Sequence, residues 1–378
     1  SIKTYYRKMD SLTTLCIFIV ILFLYIHIAN QFKISEETEI YESDFNNNNH
    51  LNEICELKQP VLMNMEHVCP SLFSDIIPET IAKHGSHDIC LKDCNDYFSH
   101  KTDDNSCCDP IILPLHTSIK FLETDKSSHL FSENNNDFLE ETGLSNKIQK
   151  IDEYIKPHFC VHSKYDLLFG SPNTVTPFRY HIDNRTFLTV TTGKIRLKMT
   201  PWKSTKYLQL QKDYELFEFR SHIHPTKPQV EDQHDFEKID FIEFDVKSGY
   251  MLYIPPYWYY SIIYLDDPST FVCKMTYNTF MNQVSNIKDL SLYFLQQQNI
   301  TSKVGKKREL VIDDISTPDE ILDSDTIKND EIQDSNNESV EMKEEEKIHP
   351  DISNNILPFK EPSDNKKEEN ITYSVSNI

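Results

Sequence analysis

Positive charge is what this 378-residue sequence has too little of: 38 Lys and Arg stand against 60 Asp and Glu, a formal net charge of −22. A nucleic-acid-binding protein needs a basic face to displace counterions from phosphates, so no nucleic-acid partner is expected. Short catalytic signatures are missing too: there is no nucleophile elbow, no phosphate-binding loop and no HExxH. Nine cysteines include no CxxC pair, the spacing a structural zinc site favours. No internal repeat is visible. The acidic excess is concentrated at one end: from Glu309 onward 20 acidic residues face 6 basic ones. That segment reads as a solvated, disordered tail (301–378), and the middle of the chain is only mildly acidic.

What is present begins with an apolar run. Ser11 to Ala29 reads SLTTLCIFIVILFLYIHIA, with no Asp, Glu, Lys or Arg. Nineteen residues at about 1.5 Å each match a bilayer core of about 30 Å. An A-x-A cleavage pattern is lacking, which favours an uncleaved anchor (11–29) over a signal peptide. Lys3, Arg7 and Lys8 precede the run, while Glu36, Glu37, Glu39 and Glu42 follow it. By the positive-inside rule residues 1–10 are cytoplasmic and the large domain lies on the lumenal, extracytoplasmic side. Seven cysteines support that side: Cys55, Cys69, Cys90, Cys94, Cys107, Cys108 and Cys160 crowd one region, and the adjacent Cys107 and Cys108 suit crossed disulfides. Asn184-Arg185-Thr186 and Asn299-Ile300-Thr301 are glycosylation sequons compatible with it.

After a polar linker (30–52), Ile54 to Met63 reads as an opening strand. A Cys-rich, partly helical stretch (53–164) follows, with helical periodicity over Asp137 to Glu153. From Tyr165 the period falls to two. Candidate strands are Leu167–Phe169, Phe187–Thr191, Ile195–Met199, Leu216–Phe219, Phe241–Asp245, Met251–Ile254, Trp258–Tyr264 and Phe271–Thr279, separated by Pro, Gly, Asn or Asp. Short, regularly spaced strands of this kind predict a β-sandwich or jelly roll (165–283). Asn286 to Gln297 closes the domain, near 300, as a helix. Lys303 to Arg308 is a short basic hinge.

Four stretches, in order, carry a resemblance. They are Lys58-Gln59-Pro60-Val61-Leu62, Phe169 to Pro177 (FGSPNTVTP), Gly193 to Pro201 (GKIRLKMTP) and Ser248 to Trp258 (SGYMLYIPPYW). Together they resemble the JmjC-related cupin-like family, which includes Fe(II)/2-oxoglutarate hydroxylases. The resemblance implies a mainly β fold, a double-stranded β-helix (cupin or jelly roll) with flanking helices, beside the transmembrane helix and the tail. It also implies an iron site of two His and one carboxylate. Counted from Thr176-Pro177, the family's His and Asp positions fall on Arg179 and His181. Counted back from Gly193 they fall on Tyr180 and Ile182. The distal His falls on Tyr260, and the 2-oxoglutarate lysine on Ile195. Arginine has no lone pair for a metal, tyrosine ligates only as a phenolate, and isoleucine binds no carboxylate.

The leading reading is therefore a membrane-anchored, non-catalytic cupin-like domain, a pseudoenzyme that binds or scaffolds an unknown protein or ligand, with no cofactor. Arg179, His181, Tyr260 and Lys194 are its candidate pocket residues, suited to an anionic group. The alternative is a hydroxylase using Fe(II) and 2-oxoglutarate with a relocated triad on His181 and Asp183, which share a strand face. Its third ligand would come from His222, His224 or His234. On its own, His222-Ile223-His224 reads as a solvated loop pair. A third reading is a structural component of a large-virus particle, anchored in the virion membrane.

Overall fold

The computed structural model describes residues 2–99, 110–265 and 269–302, all within one compact unit, Ser1–Arg308. The hinge, Cys107, Cys108 and the tail from residue 303 lie outside the described residues. The architecture is mainly β, as expected: two sheets face each other in a cupin-like double-stranded β-helix.

One sheet is built on long central strands. Its order is β1 (Tyr41–Glu42), β2 (Val61–Asn64), β13 (Tyr250–Ile254), β8 (Arg185–Thr192), β15 (Phe271–Thr279), β6 (Cys160–Gly170), β5 (Leu130–Ser132), β3 (Asp88–Asp93) and β4 (Ile111–Pro114). The other runs β10 (Leu210–Asp213), β11 (Glu218–Ser221), β7 (Arg179–Tyr180), β14 (Tyr259–Tyr264), β9 (Lys194–Thr200) and β12 (Ile242–Lys247). Apart from the short parallel pair β1–β2, every pairing among the described residues is antiparallel.

Period-two patterning sorts the side chains into layers. In β15, Val272 faces the opposite sheet and packs with Leu197, Ile262 and Trp258. Its neighbours Cys273, Met275 and Tyr277 face outward and join a second core with Leu72, Phe138, Leu144 and Ile148 from the flanking helices. Strands covered on both faces lose the apolar–polar alternation of a half-exposed sheet, hence Leu167-Leu168-Phe169. A third cluster, Phe178, Tyr180, Phe219 and Tyr259, backs the smaller sheet. Burying each such side chain contributes about 1.5–3 kcal/mol.

Several expectations are corrected at the edges. Ile54 to Met63 is not one strand: helix Asn48–Glu56 precedes β2. Asn47 caps that helix by accepting from His50 N at 2.9 Å, and Leu51 and Cys55, four apart, are buried. The helix expected over Asp137 to Glu153 breaks at Gly143, φ +71°, into Asn136–Glu141, Leu144–Ile148 and shorter turns. Residues 216 and 217 precede β11 rather than belong to it, because Phe217 turns with φ +55° and closes a hairpin on the unforeseen β10. The Cys-rich stretch supplies β2 to β5, so it extends the larger sheet rather than preceding it.

The expected disulfides are overturned for every described member. Cys55, Cys69, Cys90, Cys94 and Cys160 are free thiols, as is Cys273. Cys55 and Cys69 belong to the outer core, whereas Cys94 lies in the core between the sheets. Proximity in sequence placed these thiols in different layers of the fold.

At the N-terminus, helix Ile2–Gln31 contains the apolar run, and Ser11–Gln31 is long and apolar enough to cross a membrane. Its side chains from Ser11 to Phe23 are exposed.

Candidate functional site

At one end of the barrel the inward positions of four strands change from apolar to polar. Along β6 the series is Leu168, Asp166, Lys164, His162. Along β15 it is Val272, Lys274, Thr276, Asn278. β7 brings Arg179, the residues after it bring His181 and Asp183, and β11 contributes Glu218. The polar members of these series line a cavity of about 420 Å³, whose rim is completed by Leu290, Tyr293 and Phe294 of the last helix, Ile287–Ser302. Such a volume suits a small molecule or one side chain.

The floor is a buried ion network. Lys92 Nζ lies 3.0 Å from Glu133 and 2.7 Å from Glu218. Arg179 Nη1 pairs with the other oxygen of Glu133. Arg220 Nη1 lies 2.9 Å from Asp213 and 3.4 Å from Glu218. Three cations thus meet three carboxylates at bonding distance, which is what keeps full charges viable away from water. Burial alone would raise the Glu133 carboxyl, but Arg179 and Lys92 overrule it and hold it well below the carboxylate range.

Lys274 stands apart from this balance. It makes no hydrogen bond or ion pair with the described residues. Across the strand pair its register partner is Asp166, whose oxygens accept from the backbone N–H of Asn134 (2.8 Å) and Asn135 (2.7 Å). Burial, then neighbouring Arg179, lowers the Lys274 ammonium, and burial raises the Asp166 carboxyl. The pocket wall therefore carries a half-buried cation whose donors are uncommitted.

The structure brings together three of the four expected pocket residues. Arg179 and Tyr260 are cross-strand partners, with the guanidinium 5.6 Å from the ring centre. The Tyr260 hydroxyl shares a short hydrogen bond with His181 Nε2. Lys194 is not with them: it is half-exposed at the start of β9, paired with Asp245 at 2.6 Å. A residue beside the Gly193 turn sits at the strand's far end from the pocket, so its candidacy is corrected. Sequence reading missed Lys274, Glu133, Lys92 and Asp166. The available signal was a charge inside an otherwise buried strand: Lys in FVCKMTYNT and Asp in YDLLFG.

An iron centre does not fit these donors. His181 Nδ1 is 3.9 Å from Asp183 Oδ2, but His181 Nε2 is taken by Tyr260. Asp183 Oδ1 accepts from Asn278 Nδ2 at 2.7 Å. No third His, Cys, Asp or Glu joins them among the described residues. Burial pushes the Tyr260 phenol well above its ordinary value, so it stays protonated and is no phenolate ligand. Arg179 adds a fixed positive charge where a cation would sit. The other proposed third ligands lie elsewhere. His224 is a half-buried packing residue, its ring centre 4.4 Å from Phe98, with Nδ1 accepting from the Lys227 backbone N–H at 3.2 Å. Neither it nor His222 nor His234 lines the pocket.

A scan against protein-family models gives a match over part of the chain. Residues 115–283 match the model of the cupin-like domain. The match covers under half of the chain and begins after β4, so β1 to β4 and the Lys58–Leu62 stretch lie outside it. No curated protein matches the chain. The matched segment contains β5 to β15 and the polar lining of the mouth from Glu133 to Asn278.

Proposed function

We propose that this cupin-like domain is a non-catalytic binding module, held at a membrane by its N-terminal helix, and that its barrel mouth takes a small anionic group. Lys274 is the observation that carries the reading. Three buried cations are matched by three carboxylates. Among the described residues Lys164 and Lys274 are the lysines on the wall with neither hydrogen bond nor ion pair, and of the two Lys274 is partly buried whereas Lys164 is exposed. An anion placed against Lys274 would gain a charge-assisted bond, with His181, which also lines the cavity, as a further polar neighbour. Arg179 and Tyr260 stand where ligands to iron would, which supports binding in place of oxidation.

Thermal unfolding of the full-length protein, titrated with inorganic phosphate, sulfate and succinate, tests this. A ligand at about 100 times its Kd adds about 2.7 kcal/mol, which shifts a domain of this size by a few degrees. At least one anion should raise Tm, and Lys274→Met should abolish the rise without lowering the unliganded Tm by more than a degree or two. No shift with any anion, or an unchanged shift in Lys274→Met, would refute the pocket.

A second reading has one observation in its favour: His181 and Asp183 do share the pocket. If the protein takes up one Fe(II) per chain and loses it in His181→Ala, the 2-oxoglutarate-dependent hydroxylase replaces the binding module.

A further inference from the structure

The two C-terminal helices, Phe280–Ser285 and Ile287–Ser302, carry apolar side chains that the domain leaves in the open. Phe280 is 55% exposed, Ile287 64%, Phe294 62% and Leu295 57%. Seven- and eight-residue spacing from Ile287 returns Phe294 and Leu295 to the same side of the helix. Elsewhere, an exposed apolar residue such as Val230 stands singly, which needs no explanation, whereas the exposed Phe159 borders this face, since Cys160 pairs with Thr279, the residue before Phe280.

What adjoins this face is known. The N-terminal helix packs against helix Phe280–Ser285. Its partly covered residues are Leu24, His27, Ile28 and Gln31, at helical spacing over the last two turns of the apolar segment. That end is tied down further by Asn30 Nδ2, 3.2 Å from Glu56 Oε2, and by the Phe32 ring, 6.2 Å from that of Tyr257. The level at which the apolar helix would leave a bilayer is therefore the level of Phe280.

We infer that Phe280, Ile287, Phe294 and Leu295 rest in the headgroup region of the lipid bilayer that the N-terminal helix crosses. The inference rests on reading that helix as a membrane span. Lipid is the occupant because any bilayer surrounding Ser11–Gln31 must meet the surface packed against its last turns. Aromatic and branched side chains in that position are the groups an interfacial face employs. Since Phe294 also lines the pocket rim, the barrel mouth opens beside the membrane surface.

The test places a photoreactive benzoylphenylalanine at one position at a time in the full chain, reconstituted into phosphatidylcholine vesicles with a minor share of phosphatidylserine. Positions are Phe280, Ile287, Leu295, Ile19 within the span, and the isolated exposed control Val230. Irradiation and mass spectrometry then count lipid adducts. Adducts at the first three positions roughly tenfold above the Val230 control, as burial in the interface requires, support the inference. Adducts at Ile19 with none at the three helix positions overturn it while leaving the span intact. Absence of adducts at Ile19 removes the span and the inference with it. Crosslinks at Phe280, Ile287 and Leu295 to peptide instead of lipid show that a second copy or another part of the chain covers the face, and also overturn it.

Discussion

His181 and His224 belong to different parts of the barrel end, yet burial acts on both in one direction. For His224 burial, with Lys227 nearby, lowers the imidazole to about 4. For His181 burial, with Lys274 and Arg179 nearby, holds it well below the ordinary value. In the unfolded chain each titrates near 6.5. The unfolded state therefore binds protons first as pH falls, and stability is full above about 6.5 and drains away toward 4. His224 is half-buried, so its share is about 1–2 kcal/mol after solvent screening. Urea midpoints measured from pH 7 to pH 4.5 should fall, and His224→Phe, which keeps a ring against Phe98, should flatten that slope. A slope unchanged in the variant would mean that His224 is already protonated when folded. At this scale the sequence was half-legible. Arg179, His181 and Tyr260 were found because motif spacing locates strand ends. Glu133 and Lys92 were not, because β5 and β3 reach the pocket through tertiary pairing that no local spacing encodes.

The hairpin between β8 and β9 shows what a single turn can demand. Gly193 has φ +75°, and a Cβ there would lie 2.9 Å from Thr270 Cα and 2.1 Å from Thr270 Oγ1. An alanine meets both a left-handed backbone and a neighbouring main chain that cannot give way. Gly193→Ala should destabilise the domain by about 2–4 kcal/mol, read as a lowered urea midpoint with unchanged m-value. A change below about 0.5 kcal/mol, the level of ordinary surface substitutions, would show that the Ser269–Thr270 segment relaxes. Long strands covered on both faces, whose β-branched and aromatic residues run together, were the readable ones; Phe271–Thr279 matches β15 end to end. Elements set by caps and turns were not. Asn47 made a helix where Ile54 to Met63 looked extended, and Gly143 cut a helix whose periodicity ran straight through it.

Across the whole molecule, the thiols bear on how the domain is held together. The described cysteines are free, and burial pushes the thiols of Cys55 and Cys94 up to about 11 and about 12. Alkylation of the protein in denaturant without reductant should label Cys55, Cys69, Cys90, Cys94, Cys160 and Cys273. In the native state Cys55, Cys94 and Cys273 should stay unlabelled at neutral pH, since the thiolate is the reactive form. Peptides joined by a disulfide between any two of the six would contradict the fold as described. Among the described residues, stability rests on the two cores flanking the larger sheet rather than on covalent staples, in keeping with a barrel of this size.

The ion network under the pocket also constrains what this barrel can become. Replacing Arg179 by a metal-binding residue strands one oxygen of Glu133 in the interior with Lys92 alone. Breaking such a pair costs about 3–5 kcal/mol, against a total stability of about 5–15 kcal/mol for a typical domain. Removal of either partner alone carries that penalty in full. Arginine and glutamate exchange at least cost when they change together, so the pair works as a ratchet that preserves the charge pattern beneath the pocket.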